Sequence, residues 1–324
     1  MTQRLESHRT EAPRQIVVLG GTGFVGRHLV PRLCALGHRV TVLSRNRSAQ
    51  RELFVLPGAR VETCDVYSQT ELARRLKGSD VAINLVGILN EGGRDGRGFQ
   101  RAHVQLTQGL ISACGVAGVP RLVQMSALNA GRGRSHYLRT RGDTDTAVRA
   151  SALAWTIFQP SVIFGRGDGL FARFHALLKL TPVLPLARAG AKFAPVYVGD
   201  VVEAFVQALG DPVTHGQTYE IYGPQVLSLA EIVRYTARHA GLRRHVLALP
   251  DALGRMQALA MDFVPGKPFS SDNFLSLLTD SVGGIDGLYR LGIEKTTIDA
   301  IVPSLLRPSG KQEQLDRYRA GRIA

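Results

Sequence analysis

Three glycines carry the first chemistry. Gly20, Gly23 and Gly26 lie in GGTGFVG, after the apolar β-branched run QIVVL (15–19) and before RHLVPRLCALG (27–37), whose apolar spacing is helical. Strand, glycine turn and helix in that order suit a phosphate-binding turn. Only glycine lets the chain bend tightly, bring its backbone against a pyrophosphate and pack the helix hard on the strand. Amides at the helix start, near Phe24 and Val25, then face the negative charge. A purely structural turn would need none of the alternating elements that follow.

The next strand, 38–45, decides which dinucleotide. A carboxylate near its end would hold a ribose 2′-hydroxyl and repel a 2′-phosphate. Here the strand ends in Ser44, Arg45, Asn46 and Arg47, with no acid before Glu52. Arginine grips a phosphate bidentately, so NADP(H) is preferred and NAD(H) remains the alternative. The competing account makes Arg45 and Arg47 solvated loop charges. Asp65 and Val66 close a third strand, where a carboxylate can take an adenine amine or simply hold a turn. Asn84 to Gly87 end a fourth strand, at the carboxyl edge where such sheets bind ligands.

The elements that must position these residues alternate regularly. Strands are expected at 15–19, 38–45, 59–66, 80–87, 121–128 and 155–165, with helices at 27–37, 68–78, 100–118 and from Tyr137 to Ser151. The pattern predicts an α/β fold, a doubly wound parallel sheet (Rossmann fold) with a smaller, mostly helical C-terminal lobe. The boundaries expected are an N-terminal arm over 1–13, a dinucleotide domain over 14–165 and a C-terminal substrate or partner lobe over 166–324. Residues 194–223 are expected to return to the dinucleotide domain. Ser228 with Glu231 reads as a capping box opening a helix.

Composition narrows the classes. The 324 residues include 40 Lys and Arg, only six of them Lys, against 26 Asp and Glu, a net charge of +14. Anionic partners are favoured. Nucleic acid is not expected, because aromatic residues are only 6% and the charge forms no stripe. No stretch reaches the ~20 apolar residues of a membrane span. The first residues lack a secretory apolar core, and Cys34, Cys64 and Cys114 form no CxxC pair, so no metal site and a reducing cytoplasm are expected.

GGTGFVG, then CDV (64–66), NLVG (84–87), MSA (125–127) and YLRTR (137–141) together resemble an extended or atypical short-chain dehydrogenase/reductase, of the NAD-dependent epimerase/dehydratase superfamily. FQPSVIFGRGDGLFARF (158–174) and APVYVGDVVEAFVQAL (194–209) resemble its branch containing the dinucleotide-binding accessory subunit of respiratory complex I and bacterial relatives. The resemblance implies a catalytic Ser, Tyr and Lys. Ser126 and Tyr137 match, but Arg141 stands where the Lys is expected, and His103 where the family commonly has Asn. An ångström-scale misplacement can cost ~100-fold in rate. Two roles therefore compete: a bound nucleotide that stabilises or regulates, linked to NADH dehydrogenase or quinone metabolism, and an NADPH-dependent reductase or epimerase/dehydratase with Tyr137 as general acid/base on a hydrophobic carbonyl or sugar-nucleotide substrate.

Phe164, Phe171, Phe174, Phe193 and Tyr197 suit either an apolar pocket for a quinone or other hydrophobic carbonyl compound, or plain core. The segment 249–266, broken by Asp251, Arg255 and Asp262, reads as a buried lobe helix or as one lying on the inner face of a membrane. A respiratory-complex contact is implied by the resemblance alone.

Overall fold

The computed structural model describes residues 12–45, 55–167, 169–265 and 267–306. Arg47 and most of the 1–13 arm lie outside the described residues. Strand β1 (Gln15–Leu19) runs into the glycine turn and helix α1 (Gly26–Ala35). Then follow β2 (Arg39–Ser44), β3 (Ala59–Thr63), α2 (Gln69–Leu76) and β4 (Val81–Asn84). A π-helical stretch, Gln100–Gln105, leads into α3 (Leu106–Ala117), then β5 (Arg121–Met125), α4 (His136–Arg149) and β6 (Ala154–Pro160). Side chains of Ser68 and Ser135 cap α2 and α4 by accepting the amides of Glu71 and Leu138.

The C-terminal half carries β7 (Ile163–Phe164), α5 (Phe171–Leu180), β8 (Val183–Leu186), β9 (Lys192–Phe193), β10 (Val196–Tyr197) and α6 (Val198–Gly210). After β11 (Gln217–Ile221) come β12 (Leu227–Ser228), α7 (Leu229–His239), β13 (His245–Ala248) and α8 (Asp251–Met261). Short helices α9 (Ser271–Ser276) and α10 (Gly287–Arg290) precede α11 (Ile298–Leu306).

Seven parallel strands form one sheet in the order β11-β6-β5-β4-β1-β2-β3. Successive strands move outward in opposite directions from β1, so the crevice between the carboxyl ends of β1 and β4 is the switch point where ligands bind in such sheets. One face is packed by α1 and α6 through Leu29, Leu33, Val201 and Phe205, the other by α2 and α3 through Leu72, Leu76, Leu106 and Leu110. β11 pairs with β6 at one edge of the sheet, from Gln217–Thr156 to Ile221–Pro160.

Several elements are shorter than their sequence suggested. The third strand stops at Thr63, leaving Asp65 and Val66 in the loop, and the fourth stops at Asn84. The sixth splits, because Pro160 has no amide to continue the ladder; Ile163 and Phe164 turn away to pair with β10. Ser228 and Glu231 form the expected capping box of α7. Among the described residues no helix is long and apolar enough to cross a membrane. The aromatics sort mainly into core: Phe164 and Phe171 are fully buried, and Phe193 and Tyr197 pack against them.

Candidate functional site

The glycine turn is built as its sequence requires. Gly20 has φ +75°, and a Cβ there would sit 3.0 Å from the backbone of Leu85 and Val86 at the end of β4. A Cβ on Gly26 would collide with the backbone of Gly21, so α1 can seat against β1 only through glycine. The Gly23 amide donates to Gly20 O at 2.9 Å and closes the turn. At the start of α1 the amides of Arg27, His28 and Leu29 already donate to the carbonyls of Gly23 and Val25, which leaves those of Phe24, Val25 and Gly26 as the turn amides without an acceptor among the described residues.

Over this turn lies a cavity of about 470 Å³. It brings together Gly20, Gly23, Phe24, Val25 and Gly26 with Gly87 from β4's end, Ser126 after β5, and Tyr137 and Arg141 on α4. Its apolar side comes from Ile88, Met125, Ile163, Leu170, Phe174 and Leu177. Phe174 is the one aromatic of the five expected pocket residues to line it; the others make core.

Other expected residues lie elsewhere. Asn84 is buried beneath the cavity with its amide spent: Nδ2 donates to Thr107 Oγ1 and Gln124 Oε1, and Oδ1 accepts the Val86 amide. It shapes the end of β4 and is not among the residues lining the cavity. Asp65 is exposed, and one carboxylate oxygen accepts the Tyr67 amide at 3.0 Å, the geometry of a turn residue. Val66 is buried in the core cluster over α2 and α3. Ser44 lies one residue beyond the Leu19–Leu43 pair, and so beside Gly20 at the sheet edge; Arg45 follows it, exposed.

Arg141 is the residue on which the site turns. Only 4% exposed, it donates Nη1 to the carbonyls of Val86 (3.3 Å) and Met125 (3.1 Å), at the ends of β4 and β5. Nη2 lies where a Cβ on residue 87 would fall, so Gly87 makes room for the guanidinium. Nε is buried without a partner. The guanidinium carbon stands 5.6 Å from the Tyr137 ring centroid, over the ring. Ser126 Oγ is also buried, beside the buried carboxyl of Asp145 on α4.

A neutral histidine braces Tyr137 from behind. His103, in the π-helical stretch, accepts the Ile88 amide at Nε2 (3.3 Å), which places its proton on Nδ1, 2.9 Å from Thr140 Oγ1. Burial, then the Arg141 charge, pushes its pKa down to about 2. Its ring meets Tyr137 edge-on at 5.7 Å. Such π turns often sit at functional sites.

The sequence reading missed two contributors. Arg173, on α5, lines the cavity mouth, and it lay inside the quoted FGRGDGLFARF run. Asp272, on α9, accepts the amides of His136 (2.6 Å) and Tyr137 (3.1 Å), capping the helix that carries Tyr137 from 135 residues away. Nothing local in the sequence announces that contact.

Residues 20–169 match a family model described as NAD(P)H-binding. The 40 kDa mitochondrial subunit of NADH-ubiquinone oxidoreductase from Neurospora crassa is 28% identical over 237 residues, 72% of this chain and 62% of that protein. The chain thus spans about three-fifths of that relative's length. A ceramide reductase of Caulobacter vibrioides is 29% identical over 246 residues, 75% of each chain. The solved structure of a dTDP-glucose 4,6-dehydratase (DesIV) from Streptomyces venezuelae, with NAD and TYD bound, overlays at a TM-score of 0.72 and 20% identity, covering 90% of this chain and 95% of that one. It shares the fold.

Proposed function

Because residues 20–169 match an NAD(P)H-binding family model, we propose that this chain holds NADP(H) as a structural or regulatory nucleotide. The carrying observation is the anchoring of Arg141. A catalytic lysine in this position would offer a mobile ammonium, whereas this guanidinium is tied to two backbone carbonyls and fills the space above Gly87. It serves the shape of the site and presents charge to a bound ribose or phosphate. The nucleotide would lay its pyrophosphate on the amides at the start of α1, with Ser44 and Arg45 taking the 2′-phosphate. A ligand held at thousandfold saturation adds about 4 kcal/mol of stability without turnover. The respiratory-subunit relative supports such a role, and with it a partner in NADH dehydrogenase or quinone metabolism.

A second reading rests on Ser126 and Tyr137, which line the same cavity, and on the reductase relative. In it Tyr137 gives a proton to a hydrophobic carbonyl compound whose oxygen is polarised by the Ser126 hydroxyl. The nucleotide supplies the hydride when bound.

Melting temperature with NADPH, NADH and neither, followed by assays of NADPH oxidation with quinones and small carbonyls, separates the two. A rise with NADPH and no turnover supports the structural role. Turnover abolished by Tyr137→Phe supports the enzyme. Arg45→Glu is expected to shift preference toward NADH by at least about tenfold; an unchanged ratio removes the phosphate assignment.

A further inference from the structure

Helix α8 is inside out. Its inner line, Gly254 and Ala258, is small and buried against Ala187 and Phe274. The side facing solvent carries Ala252, Leu253, Met256, Leu259 and Ala260, and Phe263 and Val264 extend it past the helix end. At 100° per residue, 252, 253, 256, 259, 260 and 263 fall within one third of the helix circumference. Met256 is 64% exposed and Phe263 75%.

Every charged residue of the segment is withdrawn from that face. Asp251 pairs with Arg188 at 3.0 Å. Asp262 is buried, taking the amide and hydroxyl of Ser271 and an ion pair from Arg94. Arg255 lies to the flank, over the Phe274 ring. Both acids of the segment are thus neutralised, Asp95 beside Phe263 is paired with Arg97 at 2.9 Å, and the cations stand at the margin of the face. Arg94 lies 5.1 Å over the Phe263 ring, and Lys267 follows, its ammonium against the carbonyls of Gly92 and Gly93.

An apolar stripe edged by cations fits an anionic bilayer surface, where the stripe enters the acyl boundary and the guanidinium groups stay among the phosphates. A second copy fits poorly. The stripe is about 16 Å long and 10 Å wide, small beside the roughly 800 Å² per partner of a stable protein interface. The cavity mouth also adjoins it. Leu89 and Pro268 line the cavity, and Asn90 bonds Lys267 and Ser270 in the strand of chain that follows α8.

We propose that the outer face of α8, with Phe263 and Val264 and the flanking Arg94, Arg255 and Lys267, docks this protein on an anionic lipid leaflet. The surface goes beyond the nucleotide reading and does not depend on it.

Flotation of the full chain with phosphatidylcholine vesicles, with and without phosphatidylglycerol, tests the surface. The wild type should float with anionic vesicles at low salt and far less with neutral ones. Met256→Glu with Phe263→Glu should lower partitioning by at least about tenfold, and Leu253→Glu, one turn away, should weaken it in the same direction. These side chains point to solvent, so melting temperature and its rise with NADPH should be unchanged. A wild type that stays unbound, or a double variant that floats as well, overturns the proposal. So does a wild-type dimer that the same double variant dissociates. Loss of the NADPH response with flotation intact would instead count against the nucleotide reading.

Discussion

Arg121 and Arg141 are both buried, at opposite ends of the same parallel sheet. Arg121 starts β5, at the amino edge. Its two terminal nitrogens reach the carbonyls of Ala154 and Ala208 and the hydroxyls of Thr156 and Thr214, and burial lowers its pKa to about 10. Arg141 stands at the carboxyl edge, with two carbonyls on Nη1 and no acceptor for Nη2. The terminal nitrogens of the first cation are spent on joining β5, β6 and α6, although its Nε, like that of Arg141, is buried without a partner. The second has hydrogen-bonding capacity left over, and it lines the cavity. A buried charge costs folding energy in either place; only at the ligand edge can a bound anion repay it.

Replacing each guanidinium should expose that contrast. Arg121→Met leaves two carbonyls and two hydroxyls without their donor and should cost about 3 kcal/mol or more by urea unfolding. The nucleotide affinity of the folded protein should not change. Arg141→Met should do the reverse. Titration calorimetry should show NADPH binding weakened about tenfold, ~1.4 kcal/mol, with a smaller loss of stability than at Arg121. Equal stability losses, or equal affinities, would erase the difference between the two edges.

His103 provides the smallest and most selective effect. It is held neutral in the fold, while the unfolded chain takes up a proton below its ordinary pKa of 6.5. The unfolded state therefore binds more protons as pH falls through that value. Stability should decline by about 1 kcal/mol between pH 6 and pH 5 from this group. His103→Asn should flatten that part of the pH profile, and an unchanged slope would mean that the ring is charged or exposed in solution.

The same contrast explains what could be read from the sequence. The glycine turn, the alternation of strands and helices and the Ser228 capping box depend on neighbours within a few residues, so their residue types declare them. Arg141 was visible as an oddity at Tyr137 plus four. Its carbonyl partners at 86 and 125 were not, because only the assembled sheet brings those strand ends together. Asn84 sat at the right edge but faces inward, a matter of where β4 stops. For α8, residue types showed an apolar helix with three charges. Which side met the protein depended on Gly254 and Ala258 fitting against Ala187 and Phe274, a contact between distant segments.

The cap that Asp272 places on α4 ties remote parts together. Asp262, at the end of α8, holds Ser271, and the next residue grips the amide of Tyr137. A single tether thus runs from the outermost helix of the small lobe to the floor of the nucleotide crevice. By reciprocity, whatever factor an occupant of one end imposes on binding at the other is returned in equal measure.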